Sequence, residues 1–356
     1  MSIMAPMNNE LMTLTLPELT GLIEAWGFPR FRAKQVHEWI HRHHCTSFDA
    51  MSNVPAPLRQ RLAQEYPLEE FSLVDRQVSS DGTRKYVFKL SDGCLVETVG
   101  MPTHRQDGVI ERLSVCVSSQ VGCPMACAFC ATGREGLTRN LQAGEIVRQI
   151  ATVQKDFEAR VSNVVVMGQG EPFLNYDEVL SALRMINSAD DLHIGARHIT
   201  ISTCGIISGI ERLSDEPEQF TLAISLHSAV QSTRDELMPK VSQQPLPLLK
   251  TALKNYTQKT GRRVSLEYLL IKNVNDSDEQ LRALLDLCRG LLCHINLLPM
   301  NPVEGAPFQP ATEKTVRHWM RTLEAEGVEI SVRKSRGSDI DGACGQLKNR
   351  IVSRET

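Results

Sequence analysis

Three cysteines, Cys123, Cys127 and Cys130, fall within the stretch VGCPMACAFCATG at residues 121–133, spaced C-x3-C-x2-C. Structural zinc takes four ligands and disulfides consume thiols in pairs, so three is an odd set for either. Three thiolates can instead hold three irons of a [4Fe–4S] cluster and leave the fourth iron open to a small molecule. Zinc with Cys116 as fourth ligand is the competing reading, and no second C-x2-C knuckle supports it. Gly122 and Pro124 mark the stretch as loop rather than core.

Other residues with chemical potential recur at the ends of apolar runs. MGQGEP (167–172) offers Gly170, where a bound group can approach the backbone, and Glu171, which can accept from an ammonium. Ser202 in ISTCG, Ser225, Leu226 and His227 in SLH, and Asn301 in PMNP stand at comparable places. Singly each is an ordinary turn or cap residue; on one rim they form a ligand pocket. Taken alone, Cys116 is a buried thiol inside an apolar strand. Cys344, in IDGACGQL, is a thiol on a flexible tail, and Glu97, in LVETV, belongs to a solvated strand face.

The elements that must position these residues change period along the chain. LPELTGLIEAWG, FRAKQVHEWIHRHH and PAPLRQRLAQEY carry apolar residues at helical spacing. RKYVFKL and CLVETV alternate around SDG, after an earlier SSDG turn, and predict a β-hairpin or small sheet. From about residue 112, six apolar runs alternate with amphipathic stretches: RLSVCVS, NVVVMG, HITIST, TLAISLH, VSLEYLLI and HINLLPM. A further helix and the strand EISVRK follow. Such a series predicts a parallel sheet with outer helices, either a closed barrel or six units of an incomplete one. Active residues in such folds lie on loops at the C-terminal strand ends, where the three cysteines fall. The expected fold class is α/β: a partial (β/α)6 barrel with an N-terminal helical and small-β accessory domain. The expected division is residues 1–95, then 96–337, then a tail, 338–356, carrying Cys344.

Composition narrows the setting. The 356 residues are 42% hydrophobic and 23% charged, ordinary for a globular chain. No run approaches the ~18 apolar residues of a membrane span, and the N-terminus lacks the pattern of a signal peptide. A cytoplasmic setting with reduced thiols is expected, so some of the ten cysteines serve metal or catalysis. The net charge of -3 argues against a wholly basic nucleic-acid binder, though not against local patches. One such patch is Arg30, Arg32, Lys34, His37, His41, Arg42, His43 and His44, with Trp39 among them. Arg139, Lys334 and Arg336 add charge near the cysteines, and basic groups beside an aromatic suit phosphate contact and base stacking. Without further support that patch reads first as a solvated helix face.

CVSSQVGC, RNL, MGQGEP, SLH, INLLPMNP and RKSRGSDIDGACGQL run in order through residues 116–347. Together they resemble the RlmN/Cfr family of radical S-adenosylmethionine (SAM) RNA adenosine methyltransferases, and the likeness covers nearly the whole chain. FRAKQVHEWIH and VETV resemble the RlmN N-terminal region, and Pro172 in GEPFLN sides with RlmN over the Cfr branch, which carries alanine there. Two features depart from the pattern: Cys204, where many relatives carry serine, and a longer connection, GMPTHRQDGVIERLS, between Glu97 and Cys116. Neither removes a residue the implied mechanism needs.

The resemblance implies one [4Fe–4S] cluster on Cys123, Cys127 and Cys130, with SAM chelating the open iron. It implies SAM contacts at Gly170, Glu171, Ser202, Ser225, Leu226, His227 and Asn301. C2 of adenine is electron-poor and resists simple methyl transfer, so two SAM molecules are used. Cys344 takes a methyl group from the first. The second yields a radical that abstracts hydrogen from that methyl, and the resulting carbon adds to C2. Glu97 is implied as the base, and Cys116 as the thiol that attacks Cys344 and frees the product through a transient disulfide. The implied substrates are 23S rRNA and tRNA, with a flavodoxin or ferredoxin as electron donor, no membrane, and a monomer. The target base must leave its stack to reach a buried radical. C8 methylation, a radical SAM reaction on a small molecule or peptide, and a zinc-stabilised RNA-binding protein are the alternatives.

Overall fold

The computed structural model describes residues 11–41, 45, 47–66, 68 and 71–348. Helix α1 (Leu16–Ala25) starts at Thr15, whose hydroxyl accepts from the Glu18 N–H while the Glu18 carboxylate accepts from the Thr15 N–H. This reciprocal cap satisfies two donors that the first turn leaves orphaned. Helices α2 (Phe31–His41) and α3 (Ala56–Glu65) follow. Leu19, Ile23, Val36, Ile40, Leu58 and Leu62 form their shared buried stripe. All three helices fall where the apolar spacing predicts them; Arg42, His43 and His44 lie outside the described residues.

Strands β1 (Phe71–Val78), β2 (Arg84–Leu90), β3 (Leu95–His104) and β4 (Ile110–Cys116) run as an antiparallel meander. One device makes all three turns. Asp81, Asp92 and Asp107 accept from the N–H two residues on, at 2.9, 2.9 and 3.1 Å. The glycine after each adopts φ +83, a conformation that disfavours a side chain. The connection between Glu97 and Cys116 is thus a hairpin, and the signal missed in the sequence is its Asp-Gly pair.

Beyond β4, a two-stranded ribbon, β5 (Gln120–Gly122) and β6 (Leu137–Asn140), brackets the cysteine loop and the short helix α4 (Ala131–Glu135). The repeating series then runs α5 (Ala143–Phe157), β7 (Asn163–Val166), α6 (Tyr176–Asn187), β8 (Ile199–Thr203), α7 (Ile207–Asp215) and β9 (Thr221–Ser225). It continues through α8 (Gln231–Leu237), α9 (Leu246–Thr260), β10 (Val264–Leu270), α10 (Asp278–Cys288), β11 (Cys293–Pro299), α11 (Glu313–Ala325) and β12 (Ile330–Val332). Apart from the β5–β6 ribbon, every neighbouring pair from β4 onward is parallel.

One ten-stranded sheet results, ordered β1-β2-β3-β4-β7-β8-β9-β10-β11-β12. The six predicted parallel strands are β4 and β7 to β11. The sheet does not close: β3 occupies the flank of β4, and β12 ends the other side. The barrel is therefore the incomplete one, and the antiparallel strands extend its sheet rather than forming a layer of their own. No helix among the described residues is long and apolar enough to cross a membrane.

Candidate active site

The cysteine loop is held mainly by its backbone. The Cys123 N–H donates to Gly136 O, Ala128 N–H to Leu237 O and Cys130 N–H to Cys127 O. Arg134 donates to the carbonyls of Glu304 and Gly305 at 3.0 and 3.2 Å. A Cβ on Gly133 would lie 2.9 Å from the Cys127 nitrogen, so the turn closes only around glycine.

Cys123, Cys127 and Cys130 face one side of a cavity of about 240 Å³ at the C-terminal ends of the parallel strands. Gly170, Glu171, Ser202, Ser225, His227 and Asn301 also line it, as do Cys116 and Cys344. The loops bring these expected residues together. Leu226 does not join them; its side chain is fully buried in the core. Glu97 is also absent from the cavity lining and is wholly buried rather than on a solvated strand face. Its Oε1 is 3.5 Å from Lys85 Nζ, and its Oε2 accepts from the Lys348 N–H at 2.7 Å. The pleat points Glu97 under the returning tail, where strand alternation alone would expose it.

Burial sets the electrostatics. It raises the Glu171 carboxyl, although Oε1 accepts from Phe173 N–H at 3.0 Å and Oε2 from Cys204 N–H at 2.7 Å. Each oxygen keeps acceptor capacity for a cation in the cavity. His227 is driven down to about 3 by burial and by Arg234, so it is neutral. Its Nδ1 accepts from Leu269 N–H at 3.0 Å, which assigns the ring proton to Nε2. Ser202 and Ser225 hydroxyls are 3.4 Å apart on adjacent strands. Gly170 has φ +105, and a Cβ there would meet Gln120 Cβ and Ser119 Oγ at 2.7 Å.

Cys116 and Cys344 come from distant parts of the chain yet share this cavity. Burial and the neighbouring Cys344 push the Cys116 thiol up to about 12, and Arg333 opposes them. Cys344 is raised by burial and drawn down by Arg333. It is exposed and lines the cavity. Asn301 holds the segment, donating to Cys344 O at 3.3 Å and accepting from the Ser335 hydroxyl at 2.6 Å.

The donor set fits a [4Fe–4S] cluster. Three thiols from one short loop line the same cavity, and three thiolates hold three irons while leaving the fourth open. The apolar side of the cavity lies beside them for a bound small molecule.

Residues 117–285 match the radical SAM superfamily, and residues 9–67 match the ribosomal RNA large subunit methyltransferase N-terminal domain. A probable dual-specificity RNA methyltransferase RlmN from Microcystis aeruginosa is 44% identical over 96% of this chain and 99% of its own. One from Symbiobacterium thermophilum is 46% identical over 95% and 90%. The crystal structure of a radical SAM methyltransferase from Sphaerobacter thermophilus superposes with a TM-score of 0.90 at 42% identity, covering 96% of this chain and 99% of that one. The chain belongs to the RlmN family. Its cofactors are accordingly a [4Fe–4S] cluster and SAM.

Sequence reasoning missed two buried charges of this RlmN-family site, one lining the cavity and one behind it. Glu267, buried on β10, accepts through Oε1 from Ser265 and Asn296 and keeps Oε2 3.8 Å from Arg333. A carboxylate inside the apolar run VSLEYLLI was the available signal. Arg234, fully buried, donates to Cys204 O at 2.6 Å behind the cysteines. The basic patch also needs correction. His37 and His41 are buried against Asp191, so they leave the proposed phosphate face. Trp39 Nε1 is occupied by Asn53 Oδ1 at 2.6 Å. Arg139 is neutralised by Asp92 and Glu145. Arg30 and Lys34 remain exposed beside exposed Phe31. Lys334 and Arg336 line the cavity as expected.

Proposed function

We propose that this chain methylates C2 of adenosine in 23S rRNA and tRNA, through a methyl group carried on Cys344. The observation that carries the reading is the meeting of Cys116 and Cys344 in the cavity that also holds Cys123, Cys127 and Cys130. A radical enzyme for a small molecule needs the last three and has no use for the first two.

The cluster and SAM, when bound, supply a carbon-centred radical strong enough to take hydrogen from a methyl group. Cys123, Cys127 and Cys130 hold the irons. Glu171 accepts from the SAM ammonium, and Gly170 lets that end approach the backbone. His227 offers Nε2–H, and Ser202 and Ser225 offer hydroxyls, to the remaining polar groups. Arg333 favours the thiolates of both Cys344 and Cys116 against the burial that opposes them. Cys344 accepts the methyl group that later bonds to C2. Glu97 takes the C2 proton. Once the adduct has given up its unpaired electron, for which the cluster would be the acceptor, Cys116 attacks Cys344 Sγ, forming the S–S bond as the C–S bond breaks; the departing carbon keeps that electron pair and takes a proton to become the methyl group, and an external thiol reductant then returns the disulfide to two thiols. Glu97 accepts from Lys348 on the same tail as Cys344, so one movement of that tail both uncovers the base and repositions the methyl carrier.

Residues 1–95 contribute RNA docking in this reading, with Arg30, Lys34 and Phe31 at the exposed face and Lys334 and Arg336 at the cavity. The enzyme is cytoplasmic and monomeric, and a flavodoxin or ferredoxin serves as one-electron donor. The test is mass spectrometry of nucleosides from 23S rRNA and tRNA of a deletion strain. Loss of 2-methyladenosine from both, restored by the wild-type gene, is expected. Loss of 8-methyladenosine instead, or no change, overturns the assignment.

A further inference from the structure

Helix α2 carries His37 and His41 four residues apart, on one face. Both point at Asp191, in the segment between α6 and β8. His37 Nε2 lies 3.1 Å and His41 Nδ1 3.0 Å from the same atom, Asp191 Oδ1. No side chain of the three exposes more than 8% of its surface. The rings lie 4.1 Å apart, centroid to centroid.

Two ring nitrogens from one helix face converge on the single atom Asp191 Oδ1, inside the protein. Two imidazoles and an ionised carboxylate are a donor set that zinc accepts, with water completing the tetrahedron. Tetrahedral zinc would hold such ligand atoms about 3.4 Å apart; the two nitrogen–oxygen separations are 3.1 and 3.0 Å, and all three ligand atoms lie within 4.8 Å of one another.

We propose that His37, His41 and Asp191 bind one divalent transition-metal ion, zinc by preference, separate from the cluster. Asp191 leads into the N-terminal end of β8, whereas Ser202 stands at the other end of that strand, on the cavity. The ion therefore does no chemistry on substrate. It clasps α2 to the α6–β8 connection of the barrel, fixing the N-terminal helices relative to the sheet.

The experiment uses full-length, cluster-loaded protein, prepared anaerobically, given Zn²⁺ and dialysed against a weak chelator. Iron and zinc are then measured per chain. Wild type should retain one zinc beside its full iron. Asp191→Asn and His37→Gln should weaken zinc binding by about 100-fold or more, with iron unchanged. Zinc K-edge absorption on the wild-type holoprotein gives a reading independent of any variant's folding. Nitrogen and oxygen neighbours at about 2.0–2.1 Å support the site; a sulfur shell at about 2.3 Å would show zinc on cysteines and overturn it. Equal zinc retention by wild type and Asp191→Asn would also overturn it, leaving only a His–Asp polar contact.

Discussion

Two cysteine-bearing segments meet in the cavity, and they are built differently. The loop of Cys123, Cys127 and Cys130 is tied by backbone hydrogen bonds to Gly136 and Leu237 and clamped by Arg134. The tail that carries Cys344 depends largely on side chains. Asp339 accepts from Ser79 and Ser80, Asp81 from the Gly337 N–H, and Glu97 from Lys348. Gln346 donates to Pro302 O and Thr132 to Leu347 O. Its one backbone-to-backbone tie to the cysteine loop runs from Ala131 N–H to Gly345 O. Each such contact contributes roughly 0.5–1.5 kcal/mol, so the tail can leave as a unit while the barrel stays intact. A cluster must be held still. On the proposed function, the methyl carrier Cys344 must visit SAM, RNA and Cys116 in turn.

The largest expected effect comes from the fixed segment. Replacing Cys123, Cys127 and Cys130 with alanine should abolish iron and sulfide binding and all reductive SAM cleavage, while far-UV circular dichroism stays near wild type. Deoxyadenosine production by the triple variant would break the account of that segment.

The fixed wall also has an acid limit. His227 is held to about 3 in the fold against about 6.5 unfolded, so the unfolded chain binds the extra proton first. This group's contribution is complete above pH 6.5 and is lost as pH falls toward 3, by on the order of 4–5 kcal/mol. Urea midpoints from pH 7 to 4 should fall steeply for wild type and less for His227→Gln. Parallel curves would remove His227 as a cause.

A smaller loss belongs to Glu171→Ala, which should weaken SAM binding by roughly 1.5–3 kcal/mol and leave the cluster in place. Anaerobic titration measures it; unchanged affinity contradicts the contact. The smallest effect is expected for Asp339→Ala, which frees the tail from Ser79 and Ser80. Limited proteolysis near residues 334–348 should quicken with SAM cleavage unaltered. Unchanged proteolysis would mean that these two bonds do not restrain the tail.

The parallel strands and outer helices were legible because a strand buried on both faces is written as a continuous apolar run, as in NVVV and TLAIS. The gathering of Cys123, Cys127 and Cys130 on one cavity was legible because the three lie within eight residues of one another. Glu97 was misplaced because alternation gives a strand two faces without saying which one the tail covers. His37 and His41 were misread as solvated for a similar reason: Asp191 is distant in sequence, and helical spacing alone does not identify a buried partner. Arg234 and Glu267 gave only a faint signal, a charge inside or beside an apolar stretch. The joining of the meander to the barrel in one sheet depends on the pairing of β3 with β4, and the third Asp-Gly turn was its sole local mark.

The division of labour between a fixed loop and a travelling tail is tested most directly by isolating the Cys116→Ala protein with its RNA. The preparation is run on a denaturing gel, digested with nuclease and weighed by mass spectrometry. Without Cys116 nothing breaks the bond from Cys344 to the product, so a protein–RNA conjugate should accumulate, reduced by nuclease to a nucleotide mass on Cys344. Cys344→Ala should form neither conjugate nor methylated RNA, though uncoupled SAM cleavage can continue. An active wild type whose Cys116→Ala variant turns over normally, or whose Cys344 never carries a methyl or nucleotide mass, would contradict the account.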